Sequence, residues 1–199
     1  MGLNEWLYKR LAGSDIDPTA TIKATVQMGS GVFVGPLAEI GEKSKIGDGA
    51  WIGPNVKIEE KSVIGVGVRI GKGTKIHGNV EIGSSVEIGD GVEIKCEVKI
   101  GKFAKIGDGV EIAANACICN GAIVESGASV PKFYTLVNDK VYTKDGTVIS
   151  RGEWEQKEQE KMQIIEKAGA VLKETFIPKE EQTPPKLTKK TKPDGPGCI

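Results

Sequence analysis

The sequence predicts an all-β solenoid in which one short unit repeats along the chain. Twenty positions six residues apart, from Ile16 to Val130, hold an aliphatic residue or methionine without one insertion. Four places after each comes a second, small or β-branched class, which runs from Ala20 to Ala128 and is broken only by Tyr134. Because strand residues alternate between faces, the two classes mark the inward positions of a short strand. Three such units to a coil give about six to seven coils.

The remaining residues of each hexad predict a corner. Eleven of the twenty residues directly after the aliphatic position are Gly, and eleven of the twenty at the third place after it are Gly or Asn. These residue types accept positive φ at little cost. Residues 18 apart should then be neighbours in parallel ladders spaced about 4.8 Å apart. On that spacing one outward column begins with Phe33, Trp51 and Arg69, so that aromatic stacks on aromatic.

The first thirteen residues predict a short amphipathic helix. Its signals are three leucines at i, i+4 and i+8 followed by a glycine: Leu3, Leu7, Leu11 and Gly13. An uncovered coil would expose unpaired backbone groups. We therefore expect residues 1–13 to cap the first coil and residues 14–131 to form the solenoid.

After Pro131 the hexad pattern stops, and the sequence predicts a β meander over residues 132–152. Residues that favour strands alternate there around two turn signals, Asn138-Asp139 and Asp145-Gly146. The meander would separate the solenoid from the C-terminal segments of the chain.

A capping box formed by Ser150 and Glu153 predicts the start of a helix over residues 153–176. The last segment, residues 177–199, contains five prolines and five lysines. Such a composition cannot bury a core, so we expect this tail to be disordered or extended. It is either a solvated tail or an arm that binds a protein partner.

Overall charge argues against two classes of partner. The 27 basic and 27 acidic residues balance, so no net field attracts nucleic acid or an anionic membrane. The chain has no apolar run of signal-peptide or transmembrane length, which predicts a cytoplasmic or intracellular protein. Its four cysteines form no CxxC pair and are expected to be reduced thiols.

The unbroken hexads from Ile16 to about Pro131 resemble the hexapeptide-repeat superfamily, which includes bacterial acyltransferases and γ-class carbonic anhydrases. The resemblance implies a left-handed parallel β-helix, a handedness that periodicity by itself does not carry. It also implies homotrimers with ligand sites in clefts between neighbouring prisms. Four outward aromatic or basic residues are then candidates for contact with a trimer neighbour or another partner: Phe33, Trp51, Arg69 and Trp154.

His77 is the only histidine of the chain and the candidate catalytic residue. The resemblance to hexapeptide acyltransferases implies a general base, which takes a proton from a hydroxyl or amine as that group attacks an acyl thioester. The acyl donor would be acyl-CoA. The alternative for His77 is a corner residue that is exposed to solvent or packed at a subunit seam.

The segment "GKGTKIHGNVEIG", residues 71–83, is similar to the metal-binding segment of γ-class carbonic anhydrases, with His77 in the place of the second histidine. Catalytic zinc takes three protein ligands. Cys96, one coil and one step further along, is the other weak candidate ligand, and the outward thiols of Cys117 and Cys119 form a second pair. Two ligands are fewer than a zinc site needs, so we predict no resident metal.

Three functions are compatible with these observations, in order of preference. The first is a non-catalytic trimeric β-helix without a cofactor, acting as a structural, scaffold or assembly subunit, because no loop interrupts the coils and Lys72 stands where carbonic anhydrases have a histidine. The second is an acyltransferase that uses acyl-CoA, with His77 as its base. The third is a variant or inactive protein of the γ-class carbonic anhydrase type.

Overall fold

The computed structural model describes residues 13–175, with side chains through residue 166. Within that range it contains 23 strands and one helix, α1 (Arg151–Thr175). The strands are β1 (Asp15–Ile16), β2 (Thr21–Ile22), β3 (Gln27–Met28), β4 (Phe33–Val34), β5 (Glu39–Ile40), β6 (Lys45–Ile46), β7 (Trp51–Ile52), β8 (Lys57–Ile58), β9 (Val63–Ile64), β10 (Arg69–Ile70), β11 (Lys75–Ile76), β12 (Glu81–Ile82), β13 (Glu87–Ile88), β14 (Glu93–Ile94), β15 (Lys99–Ile100), β16 (Lys105–Ile106), β17 (Glu111–Ile112), β18 (Cys117–Ile118), β19 (Ile123–Val124), β20 (Ser129–Val130), β21 (Thr135–Leu136), β22 (Lys140–Tyr142) and β23 (Val148–Ser150).

Every third strand belongs to the same sheet, so the chain winds around three walls. Sheet A follows the order β1-β4-β7-β10-β13-β16-β19-β22-β23, sheet B runs from β2 to β20, and sheet C runs from β3 to β21. Sheets B and C have seven strands each, which gives about seven coils. The predicted parallel solenoid is confirmed.

The interior of the solenoid is filled by the aliphatic column of each sheet. Ile52, Ile70 and Ile112 have no exposed surface. Burying one such side chain stabilises the fold by about 1.5–3 kcal/mol. The second inward class fills the rest, and it includes the buried hydroxyls of Ser62 and Thr74. These hydroxyls donate to carbonyl groups at the corners, so neither is buried without a partner.

The outward columns have the 18-residue register that the sequence predicts. Phe33 pairs with Trp51, and Trp51 pairs with Arg69. The rings of Phe33 and Trp51 are stacked, with centroids 5.4 Å apart and planes 7° apart. Charges of opposite sign also pair along the walls, as in Lys105 and Glu87 at 3.2 Å.

The C-terminal end of the solenoid differs from the expected meander. Strand β21 pairs in parallel with β18, and β22 pairs in parallel with β19, so the coils continue past residue 131. Leu136 and Tyr142 keep the six-residue step and are buried. Tyr134 occupies a position that holds a small or β-branched residue in the other coils. Its ring packs edge-to-face against Tyr142, with centroids 5.3 Å apart. The antiparallel pairing that was expected occurs only between β22 and β23.

Helix α1 begins two residues before the predicted start. The predicted capping box is present: the Glu153 carboxylate accepts from the backbone N–H of Ser150 at 2.9 Å, and the Ser150 hydroxyl accepts from the backbone N–H of Glu153 at 3.3 Å. These bonds satisfy donors that the first turn of a helix leaves free.

Within the described residues the chain divides into two compact units, with the boundary between Lys157 and Glu158. The helix expected over residues 1–13 and the tail expected over 177–199 lie outside the described residues, apart from Gly13. No helix in the described range is both long enough and apolar enough to cross a membrane.

Candidate functional site

His77 lies at the corner that follows strand β11 of sheet B, and its backbone is held on both sides. Its N–H donates to the carbonyl oxygen of Ile94 at 2.9 Å. Its carbonyl oxygen accepts from the buried hydroxyl of Ser62 at 3.0 Å. The corner is therefore fixed by the coils before and after it, and the imidazole projects outward with 31% of the side chain exposed.

Both ring nitrogens of His77 face carboxylates from neighbouring coils. Nε2 hydrogen-bonds with Glu93 Oε1 at 3.1 Å, and Nδ1 lies 3.3 Å from Glu59 Oε1. Carboxylate oxygens only accept, so a neutral ring can donate to one of the two glutamates, and the doubly protonated ring can donate to both.

Lys95 fixes the position of Glu93. Its Nζ contacts Glu93 Oε1 at 2.5 Å, the same oxygen that contacts the imidazole. The hydrogen bond from Lys95, followed by the one from His77, lowers the pKa of Glu93 below its ordinary value of 4.5. In return Glu93 raises the pKa of Lys95. These contacts also offset the like charge of Glu111, which pairs with Glu93 in sheet B.

Glu59, His77 and Lys95 occupy the first place after β8, β11 and β14, one coil apart, and we call this row the charged edge. An open groove of about 520 Å³ lies beside it over the outer face of sheet B. Glu59 lines the groove, and so does Gly78, which directly follows His77. The strand residues Glu39 and Lys57 line it as well and form an ion pair at 3.6 Å.

This arrangement can do two things chemically. An imidazole that is oriented by a carboxylate on one nitrogen can accept a proton on the other, as a general base does. With both nitrogens engaged, the same ring is instead a bridge that ties three coils together. Which role the ring can take depends on whether Glu59 stays in contact with Nδ1. The Glu59 side chain is 40% exposed.

The candidate contact residues lie apart from the charged edge. Phe33, Trp51 and Arg69 are neighbours on sheet A, and the side chain of Trp51 is 40% exposed. Trp154 lies in the first turn of α1, where its Nε1 donates to the Glu125 carboxylate at 2.6 Å.

The candidate metal ligands are not brought together into a metal centre. Cys96 is exposed, on the coil that follows that of His77. Within residues 13–175 no group of three or more His, Cys, Asp or Glu side chains is arranged to hold a metal ion. Cys117 and Cys119 are half-buried neighbours with free thiols.

Sequence reasoning missed the partners of His77, although the repeat contains the signal that identifies them. Glu59 and Lys95 stand one coil before and one coil after His77, and Glu93 stands one coil after the strand residue Lys75. An 18-residue column drawn through the histidine and its strand neighbour would have named all three groups.

The chain matches no protein-family model and no curated protein sequence. Solved structures of similar fold include PerB from Caulobacter crescentus in complex with CoA and GDP-perosamine, a perosamine N-acetyltransferase. It has a TM-score of 0.51 and 19% identity over 74% of this chain and 65% of its own.

Two further solved structures have a similar fold. LpxA from Bacteroides fragilis, a UDP-N-acetylglucosamine acyltransferase, has a TM-score of 0.64 and 18% identity over 69% of this chain and 60% of its own. The acetyltransferase domain of PglB from Neisseria gonorrhoeae, in complex with acetyl coenzyme A, has a TM-score of 0.51 and 15% identity over 72% and 63%. This chain spans less than two thirds of the length of each of the three. These likenesses show the fold of this chain, which is a parallel β-solenoid wound around three sheets.

Proposed function

We propose that this protein is an acyltransferase of the hexapeptide type, which transfers an acyl group from acyl-CoA to a hydroxyl or amine with His77 as the general base. The observation that carries the proposal is the carboxylate-held imidazole beside an open groove. The acetyltransferases and the acyltransferase of similar fold support it. This assignment reverses the order of preference drawn from the sequence, because the partners of His77 supply the orienting groups that the sequence reading lacked.

The contacts indicate which nitrogen takes the proton. Glu93 is held by Lys95 at 2.5 Å, so it is the fixed group that orients the ring through Nε2. Glu59 forms an ion-pair contact with His77 and lines the groove. When the Glu59 side chain turns toward solvent, Nδ1 is open to an acceptor substrate in the groove.

His77 can take the proton from the acceptor and return it to the leaving group, so the transfer needs no further proton source. The acceptor N–H or O–H gives its proton to Nδ1 while its nitrogen or oxygen bonds to the acyl carbon. The carbon–sulfur bond of the thioester breaks, and the thiolate that leaves takes a proton in turn, which regenerates neutral His77. Glu93 stabilises the imidazolium between the two steps because it is negatively charged and already hydrogen-bonded to the ring.

We also infer a homotrimer, in which a neighbouring prism closes the open side of the groove. The stack of half-buried Phe33 on exposed Trp51 supports an interface on sheet A, because paired aromatic rings are typical anchors of protein contacts. Arg69 and Trp154 are proposed contacts of the same kind.

A non-catalytic structural or scaffold subunit is the second candidate. It is favoured by the engagement of both His77 nitrogens, which suits a bridge between coils. The Phe33–Trp51 stack would then bind an assembly partner as well as a second copy.

The experiment is a thiol-release assay with acetyl-CoA and a panel of amino sugars, sugar alcohols and amines, run on the full chain. We expect CoA to raise the melting temperature and at least one acceptor to release thiol. Glu93→Gln should lower kcat about tenfold to a hundredfold because the imidazolium loses its charged partner. Glu59→Gln should keep kcat within about threefold, since this group moves away from Nδ1.

Lys105→Ala is the matched control, because it removes an inter-coil ion pair on sheet A instead of sheet B. It should behave as the unmodified protein does. Absence of both thiol release and stabilisation by CoA, in a protein that forms stable trimers, would overturn the acyltransferase and favour the scaffold.

A further inference from the structure

We propose that Cys117 and Cys119 form a two-thiol site for a thiophilic d¹⁰ metal ion on the outer face of sheet C. Cys117 is the outward residue of β18, and Cys119 directly follows that strand. Ile118 between them points inward and has no exposed surface. Because side chains alternate along a strand, both thiols emerge on the same face.

The two thiols flank one inward isoleucine. Cys117 and Cys119 are both half-buried, and both line the same groove. Two Cα atoms two residues apart on an extended strand are separated by about 6.6 Å, which is at the upper end of the range for disulfides. A metal ion placed between the sulfurs fits this separation without drawing the backbone together.

The surroundings suit a soft cation. The thiols line an open groove of about 480 Å³, together with Val63, Ile100 and Asn120. The lysine that precedes Cys117 in the same wall, Lys99, forms an ion pair with Glu81 at 3.6 Å, so its charge is partly neutralised. Thiolates select soft d¹⁰ ions such as Cu⁺ and Cd²⁺ over the hard ions that prefer oxygen.

Binding exchanges protons for metal. Two S–H bonds break, two sulfur–metal bonds form, two protons pass to solvent, and water completes the coordination. Because each thiol must lose its proton to bind the metal, the apparent affinity rises with pH.

This site is separate from the proposed acyltransferase centre. His77 stands at a corner of sheet B and its groove runs over that sheet, whereas the two thiols lie on sheet C. Loss of either site leaves the other intact, so the two proposals fail independently.

The test uses the full chain with Cys96→Ser and Cys198→Ser, which leaves Cys117 and Cys119 as its only thiols. Under a thiol-free reductant, titration with CdCl₂ should produce the ultraviolet thiolate-to-cadmium charge-transfer band at one ion per chain. Native mass spectrometry should show one Cd²⁺ bound with loss of two protons. Cys117→Ser or Cys119→Ser added to this background should each weaken binding at least about tenfold, because one sulfur remains.

A second measurement needs no substitution. In the unmodified protein, Cd²⁺ should slow alkylation of Cys117 and Cys119, mapped by peptide mass, and leave Cys96 as reactive as before. The proposal is wrong if the protein that keeps only Cys117 and Cys119 binds no Cd²⁺ and gives no charge-transfer band, or if Cd²⁺ protects Cys96 and not the pair in the unmodified protein. Circular dichroism checks that each serine variant keeps its strands.

Discussion

Two corners of the same repeat carry different kinds of residue. After the sheet A strands β7, β10 and β13, the first corner residue is glycine, and the added Cβ of an alanine at Gly71 would lie 2.4 Å from the carbonyl carbon of Gly89 in the next coil. After the sheet B strands β8, β11 and β14 the same place holds the charged edge, Glu59, His77 and Lys95. One edge of the solenoid therefore packs backbone on backbone, and the other carries titratable side chains outward.

A six-residue unit can carry titratable side chains at one corner and keep the geometry of a glycine corner. The backbone ladder is the same at both edges: the N–H of Gly71 donates to Ile88 at 2.8 Å, and that of His77 donates to Ile94 at 2.9 Å. Side chains at the charged edge therefore inherit fixed positions about 4.8 Å apart from one coil to the next. Because the coils are regularly spaced, the carboxylates of Glu59 and Glu93 lie next to the imidazole, and Lys95 lies next to Glu93.

The largest effect on stability is expected at the glycine corner. Gly71→Ala places a Cβ against backbone that cannot move, and should lower the free energy of unfolding by about 3 kcal/mol. Chemical denaturation monitored by circular dichroism measures the loss. Gly152→Ala, at a helical position with open space around it, is the control and should cause no loss. Equal midpoints for the two variants would contradict the packing difference.

His77→Asn tests the charged edge in the same way, with a smaller expected loss of about 1 kcal/mol. The contacts that it removes are partly exposed, and no backbone has to move. The same denaturation experiment applies. A loss as large as that of Gly71→Ala would mean that both corners are primarily structural.

The stability of the charged edge should depend on pH through Glu93. Because the folded-state pKa of Glu93 lies below its ordinary value of 4.5, this carboxylate contributes stability above that value, and the contribution is lost as pH falls through the lowered pKa. Glu93→Gln should therefore lower the unfolding midpoint at neutral pH and make its decline toward about pH 3 shallower. Parallel pH curves for the variant and the unmodified protein would exclude Glu93 as a stabilising group.

The smallest effect is expected for an ion pair without an imidazole. Glu87 and Lys105 pair at 3.2 Å on sheet A, with more than half of each side chain exposed. Glu87→Gln should cost about 0.5 kcal/mol or less, and added salt should abolish the difference. A larger, salt-resistant loss would show that exposed ladders of charge hold the coils together.

The fold was predictable because its signal repeats twenty times. The place where the repeat ends was not predictable, since Tyr134 breaks the small class while Leu136 and Tyr142 keep the six-residue step of the other inward class. An inward tyrosine is tolerated near the last coil because its ring packs against Tyr142. The residue type at one position therefore led to a wrong prediction of where the solenoid ends. The parallel pairing of β22 with β19 shows that the coils continue beyond it.

The candidate site was predictable only in part. The lone histidine was evident, and the coil length of 18 residues places Glu59 and Lys95 beside it. Which carboxylate approaches which nitrogen depends on side-chain rotamers, which a repeat pattern does not specify. The structure adds this information, and it changes the ranking of functions.

The most direct measurement of the central claim is the rate of thiol release from acetyl-CoA by His77→Asn, relative to the unmodified protein and to Lys105→Ala. If the charged edge is the reactive part of the solenoid, kcat should fall by about a hundredfold or more in His77→Asn and remain unchanged in Lys105→Ala. A folded His77→Asn variant that transfers acetyl groups at the rate of the unmodified protein would contradict the account.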